Sequence, residues 1–371
     1  MTQTVCALLT PHGRGAVAVV AVAGSDAVKF LDEHFNPVNR KLFSSSSKKI
    51  TYGIWNSTGE DLVVYRRDGQ HFEVHCHGGN VASQAVIDSF EKANIHLVPA
   101  GELLSRFGNR WRLSVQTALS KTATKQTAIL VLRQLNLIPA AIKEIIALID
   151  SDSIPQAITQ TESLLAWSDF GIHLIQPRSI VLCGRPNVGK SSLINAIVGF
   201  HRAIVHDVAG TTRDVVSQQS AIDGWPVILK DTAGLREADN RIEALGIEKA
   251  KSQIESADVT ICVFDQSTRW NPDDSALIET LSPDLIVHNK SDLSVEKSSD
   301  RPDGISTSVE LGQGIEELIT QIGRQIVTST PNQDQPIPVS QSQVKVLETA
   351  LECLKQSNIR DARNLISAGP A

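Results

Sequence analysis

The chain has 371 residues, of which 41% are hydrophobic, 20% charged and 4% aromatic, and its formal net charge is −6. That length supports two or three domains with apolar cores, and the acidic balance excludes a nucleic-acid partner held by a broad basic field, leaving only local contacts. The cysteines Cys6, Cys76, Cys183, Cys262 and Cys353 are scattered with no C-x-x-C pair, which speaks against a disulfide scaffold and for a reduced, cytoplasmic protein.

In chain order, residues 1–112 read as an α+β domain. Apolar runs at 16–22, 61–65 and 72–75 predict strands, punctuated by Gly, Asn and Ser clusters that include the serine run 44–47. His75-Cys76-His77 would place both histidines on one strand face and the cysteine on the other, with no further ligand at metal-site spacing, so a structural role is expected. The basic residues of 106–112 and Lys41, Lys48 and Lys49 read as solvated surface. Residues 113–175 change to helical patterning through 128–132, with breaks expected at Pro139 and Pro155. Strands and helices then alternate over 176–328, which predicts a doubly wound parallel sheet. A further helical stretch at 340–366 follows the proline-marked exit 331–338, so 329–371 would complete a helical domain into which 176–328 is inserted. No basic, apolar leader and no run of membrane-spanning length stands out, so no membrane partner is expected.

The chemistry concentrates in 176–328. Gly184-Arg185-Pro186-Asn187-Val188-Gly189-Lys190-Ser191 fits G-x-x-x-x-G-K-[ST] between an apolar strand and a helix that continues from Ser192. Glycines let successive N–H groups of Asn187, Val188, Gly189 and their neighbours face one anion, with the helix N-terminus adding its positive end. Lys190 would reach the β- and γ-phosphates, and the Ser191 hydroxyl would ligate Mg²⁺. Asn289-Lys290-Ser291-Asp292 follows another apolar run, and in such an N-K-x-D loop the carboxylate accepts two N–H groups that guanine has and adenine lacks. The expected ligand is GTP. Between the two loops, Asp231-Thr232-Ala233-Gly234 ends a strand where Mg²⁺ and the γ-phosphate would lie, and Gly210-Thr211-Thr212 offers a threonine for the Mg²⁺ shell. Ser308-Val309-Glu310 stands where a backbone N–H would meet the guanine oxygen. Leu235 occupies the place after D-x-x-G where many GTPases carry a water-orienting glutamine, so another group must hold the water or hydrolysis is very slow.

These spellings, together with TPHGRGAVAVV at 10–20, EVHCHGG at 73–79, PAGE at 99–102, GTTRD and DTAGLRE, resemble the MnmE (TrmE) family of tRNA modification GTPases. The resemblance covers much of the chain and implies a folate-binding-like N-terminal domain that dimerises, and GTPase domains that pair across the nucleotide. It implies K⁺-stimulated hydrolysis, with K⁺ on the Asn187 side chain, the His206 and Val208 carbonyls and Thr211, and Mg²⁺ on Ser191 and Thr212. Asp207 and Ala209 join the nucleotide contacts, and Glu243 becomes the water-positioning carboxylate. It further implies a homodimer, a flavoprotein partner (MnmG, or GidA) and action on the wobble uridine of certain tRNAs. Two features depart from the family. The tetrahydrofolate site keeps Glu73 but has Ala21 where a basic residue is usual and Trp111 where a lysine is usual, and the end at 367–371 lacks the family's C-x-G-K tail. They leave open an alternative, a GTP-dependent switch or RNA/ribosome assembly factor that has lost the tRNA chemistry.

Overall fold

A computed structural model describes residues 3–11, 13, 15–38, 49–67, 69–200, 217–231, 254, 256–293 and 300–370. The chain divides into two compact units, Met1–Leu113 (with Ala371) and Ser114–Pro370.

The first unit runs β1 (Val5–Leu8), β2 (Val17–Ala23), α1 (Ala27–His34), β3 (Phe35–Pro37), β4 (Lys49–Trp55), β5 (Asp61–Arg66), β6 (His71–His77), α2 (Asn80–Lys92), β7 (His96–Leu97) and α3 (Ala100–Phe107), and α4 (Arg110–Leu119) spans the division. Its strands pair in the order β3-β4-β5-β6-β2-β1-β7, antiparallel except for β1 with β7. The small and β-branched residues of β2 suit a strand buried on both faces. Val20 and Val22 join a cluster with Phe72 and Phe90, while Ala21 and Ala23 pack with Leu103 on the other side.

The second unit continues through α5 (Lys125–Asp150), α6 (Ile154–Leu165), α7 (Ser168–His173), β8 (Arg178–Cys183), α8 (Lys190–Phe200), β9 (Ser217–Ile222), β10 (Trp225–Asp231) and β11 (Val259–Asp265). After these come α9 (Pro272–Leu281), β12 (Leu285–Asn289), β13 (Ile305–Ser306), α10 (Ile315–Ile326), α11 (Gln341–Lys355) and α12 (Ile359–Ala368). Its sheet has the order β13-β12-β11-β8-β10-β9, with all neighbours parallel except the edge pair β10–β9. The apolar runs of β8 and β11 are the doubly covered centre. Helices α8 and α10 share one side, where Leu193, Ile197, Leu318 and Ile322 pack with Leu182, Leu229 and Ile261. Helix α9 covers Cys183, Cys262 and Phe264 on the opposite side. Helix α5 packs on α6 and α12, and α11 packs on α6 and α12.

One expected break is absent. Helix α5 passes straight through Pro139. A proline inside a helix costs about 3 kcal/mol, but the stripe Val131, Gln134, Ile138, Ile142, Ile145 and Ile149 is buried on both sides of it. Each buried aliphatic side chain contributes roughly 1.5–3 kcal/mol, so packing wins over local propensity. Pro155 lies in the first turn of α6, where a missing N–H costs nothing.

Candidate functional site

Strand β8 delivers the chain to Gly184 at the carboxyl end of the sheet, where the crevice of an open α/β sheet lies. Gly184 has φ of +144°, and a Cβ there would stand 2.2 Å from the Val263 carbonyl oxygen. Gly189 has φ of +95°, and its Cβ would stand 2.4 Å from Asn289 Nδ2. Asn187 at the exposed tip takes φ of +64°, a left-handed conformation that asparagine tolerates. The loop thus needs its glycines for close approach as well as for conformation. Lys190 opens α8 and is buried, its Nζ donating to the carbonyls of Gly184 at 3.1 Å and Arg185 at 2.9 Å. Ser191 Oγ donates to Asp231 Oδ2 at the end of β10, so a hydroxyl and a carboxylate meet beside the loop, and Ser192 lies exposed next to them.

A second loop closes on the first. Asn289, buried at the end of β12, donates from Nδ2 to the Val188 carbonyl at 2.9 Å, and its Oδ1 accepts from Thr307 Oγ1 at 3.1 Å. Lys290 has φ of +65° and donates from Nζ to Asp265 Oδ2 at 2.7 Å. The Ser291 N–H donates to the Thr307 carbonyl at 3.0 Å, and Ser308 Oγ donates to Asp292 Oδ1 at 2.5 Å. Ser308 and Gln313 exchange backbone hydrogen bonds at 3.0 Å in both directions, which fixes the turn through Val309 and Glu310. The two loops therefore bring Asn187 to Ser192, Asp231, Asn289 to Asp292 and Ser308 to Glu310 to one end of the sheet. His206, Asp207, Val208, Ala209, Gly210, Thr211, Thr212, Thr232, Ala233, Gly234, Leu235 and Glu243 lie outside the described residues.

Asp265 and Thr307 belong to this site and escaped the motif reading. Asp265 had a signal, since it ends the apolar run of β11 as Asp231 ends that of β10. Burial pushes the Asp265 carboxyl up, but hydrogen bonds from Lys290 and Ser267 outweigh it, and the net direction is below the usual range. The assembled chemistry is a glycine-shaped loop at a helix N-terminus with an ammonium beside it, which suits a polyphosphate. Beside it stand a hydroxyl–carboxylate pair of hard oxygens that fits a divalent cation such as Mg²⁺, and a carboxylate that can accept from two N–H groups on a base edge.

In the first unit, Glu73 faces a cavity of about 550 Å³ with Tyr52, Tyr65 and His75. Its carboxylate pairs with Arg67 Nη1 at 2.8 Å and stands 3.5 Å from His75 Nε2. Ala21, opposite Glu73 in the ladder, is fully buried, and so is nearly all of Trp111. Two of the three positions thus offer no charge to a folate, and the residues present do not fit one. Cys6 and Cys76 are buried thiols pushed up to about 12 and about 11, mainly by desolvation, so neither is a ready nucleophile. Among the described residues, no group of three or more His, Cys, Asp or Glu side chains could hold a metal ion by itself. No described helix is long and apolar enough to cross a membrane.

Residues 179–290 match the family model of 50S ribosome-binding GTPases, and residues 4–109 that of the GTP-binding protein TrmE N-terminus. A tRNA modification GTPase MnmE from Synechococcus sp. is 30% identical over 404 residues, covering 96% of this chain and 88% of the relative. One of the same name from Chloroflexus aurantiacus is 32% identical over 333 residues, covering 79% of this chain and 73% of the relative. Among solved structures, the FeoB G-domain from Methanococcus jannaschii is 22% identical with a TM-score of 0.30, covering 40% of this chain and 98% of that one. Aquifex aeolicus Era is 24% identical with a TM-score of 0.32, covering 47% of this chain and 66% of that one.

Proposed function

The chain belongs to the MnmE family of tRNA modification GTPases, and from that premise we propose that it binds GTP at the joined loops of its second unit and acts on tRNA. It is a GTP-hydrolysing enzyme with a P-loop GTPase fold. The observation that carries the nucleotide assignment is the Asn289–Val188 hydrogen bond of 2.9 Å, which holds a base-reading loop at fixed distance from a phosphate loop. In this reading Lys190, its ammonium still held by the Gly184 and Arg185 carbonyls, meets the β- and γ-phosphates with its remaining N–H, Asp292 accepts from the guanine edge, and the Ser308–Glu310 turn offers N–H groups to the guanine oxygen. Ser191 and Thr212 would hold Mg²⁺, which would supply neutralisation of the phosphate charge. Asn187, the His206 and Val208 carbonyls and Thr211 would hold K⁺, and Glu243 would orient the attacking water in a dimer of GTPase domains.

We read the GTPase domain (176–328) as inserted in a helical domain built from 113–175 and 329–371, after an N-terminal dimerising domain (1–112). The substrate would be the wobble uridine of tRNA, with a flavoprotein partner, in the cytoplasm. No step is routed through folate. The alternative of a switch without tRNA chemistry draws no support from the relatives described above, which carry the tRNA modification name.

Calorimetric titration with GTP and ATP tests the assignment. GTP should bind and ATP should bind more weakly by about 10⁴-fold, since a site built to hydrogen-bond a group rejects the analogue lacking it. Equal affinities would overturn it.

A further inference from the structure

Arg185 is a cation in a loop whose ligand is an anion, and the simple expectation is that it faces the phosphates. It does the opposite. Its Nη2 donates to Asn271 Oδ1 at 2.8 Å and to Asp273 Oδ2 at 3.1 Å, and its Nε lies 3.0 Å from Asp274 Oδ1. These acceptors form the first turn of α9, where Asn271 and Asp274 make a reciprocal capping box with both bonds at 3.2 Å. Asp273 is exposed and its bond contributes little, whereas Asp274 is only 7% exposed. The anchor is itself fixed. Trp270, just before the cap, packs its ring against that of Phe264 on β11, centroids 4.8 Å apart and planes tilted by 60°, and donates from Nε1 to Ser275 Oγ at 3.0 Å.

The backbone of the same residue faces inward. The Arg185 carbonyl accepts from Lys190 Nζ at 2.9 Å, beside the Gly184 carbonyl at 3.1 Å. Pro186 follows, removing one N–H and restricting the conformation of residue 185, so a docked arginine side chain leaves that carbonyl few orientations.

We propose that Arg185 is a positioning residue of the phosphate loop: docked on the α9 capping box, it fixes the carbonyl against which the Lys190 ammonium is held, and so sets affinity for the diphosphate and triphosphate of guanosine alike. This rests on the nucleotide reading above. Because Arg185 holds the loop in the same way in the bound ground state and in the transition state, it acts on both equally. Its loss raises KM and leaves kcat.

The test is titration of the full chain with GDP and GTP, with steady-state GTP hydrolysis, for Arg185→Ala, Arg185→Lys, Asp274→Asn and the double variant Arg185→Ala/Asp274→Asn. Thermal unfolding of each without nucleotide sets a temperature at which all are folded, and the 42% exposure of the Arg185 side chain favours folding of every Arg185 variant. Arg185→Ala should raise both dissociation constants and KM about tenfold, the scale of one charge-assisted hydrogen bond, with kcat within about twofold. Arg185→Lys should recover part of the loss, because one ammonium still reaches one acceptor. In the Asp274→Asn background, Arg185→Ala should cost less than about threefold more, since interacting partners are non-additive. Unchanged affinity in Arg185→Ala, losses that multiply in the double variant, or a fall in kcat alone would overturn the proposal. Lys190→Ala separates the two readings. If it binds GDP like the parent, the nucleotide assignment falls and the positioning role with it; if it loses GDP while Arg185→Ala does not, only the positioning role falls.

Discussion

At Gly189 a single methyl group decides whether the two loops can meet. With a Cβ position 2.4 Å from Asn289 Nδ2 and φ of +95°, Gly189→Ala must displace the amide that ties the base loop to Val188. GTP affinity should fall at least about tenfold, the scale of a lost buried hydrogen bond plus backbone strain. Gly199→Ala, in the same helix–loop segment with open space around its Cβ, should leave affinity unchanged and tighten α8 slightly. Titration of both variants checks this, and equal losses would place the effect elsewhere. Asp265 gives a pH signature. Its folded carboxyl lies below the usual range, with burial outweighed by Lys290 and Ser267. A group depressed in the folded state stabilises above its unfolded value, near about 3.9, and loses that contribution as pH falls through the folded value. Asp265→Asn should therefore be less stable than the parent near neutrality, with the gap closing below about pH 4, measured by denaturant unfolding. The motif residues were legible because phosphate and guanine chemistry demand particular atoms at particular spacings. Asp265 and Thr307 were not, because their partners Lys290 and Asn289 are brought to them by sheet order, which no local spelling records.

Helix α5 shows the same limit for an element. Its apolar stripe was legible, but the weight of burial across Pro139 was not, since that depends on what α6 and α12 place against it. Its start is better specified. Thr124 accepts from the Thr127 N–H at 3.2 Å as an N-cap and donates from Oγ1 to the Gly224 carbonyl at 2.7 Å, which ties α5 to the turn between β9 and β10. The turn fits closely. A Cβ on Gly224 would stand 2.3 Å from Gln126 Oε1. Thr124→Ala removes both bonds, and a third at 3.0 Å to Thr127 Oγ1, and should destabilise the chain by about 1–2 kcal/mol, the range for a lost helix cap with a second partner left unpaired. Urea unfolding reads this. A change under about 0.3 kcal/mol would mean that water replaces both partners. The capping residue itself was readable in principle, as a threonine before an apolar helical run, whereas its second bond reaches across a hundred residues and was not.

For the whole molecule, the decisive question is how hydrolysis proceeds with Leu235 where a glutamine is common. The one arginine of the phosphate loop, Arg185, is committed to α9 by three acceptors, so it does not lie over the loop as a charge-stabilising finger. The charge must come from elsewhere, and the proposed K⁺ site begins at Asn187, exposed at the loop tip with φ of +64°. A finger-type charge is worth roughly 10³–10⁵ in rate, so turnover in KCl should exceed turnover in NaCl of equal ionic strength by a large factor. Asn187→Ala should abolish that difference while keeping GDP affinity, because K⁺ on this reading serves the developing charge and not the bound ground state. Glu243→Ala should lower kcat in KCl by about 10²-fold or more, again with affinity nearly unchanged, as befits a group that only orients water. The two variants separate two jobs. If Glu243→Ala keeps its K⁺ response at reduced rate while Asn187→Ala loses the response, cation and water are held independently. Equal turnover in the two salts for the unmutated chain would remove K⁺ from the mechanism and leave the rate to protein groups such as Glu243 alone.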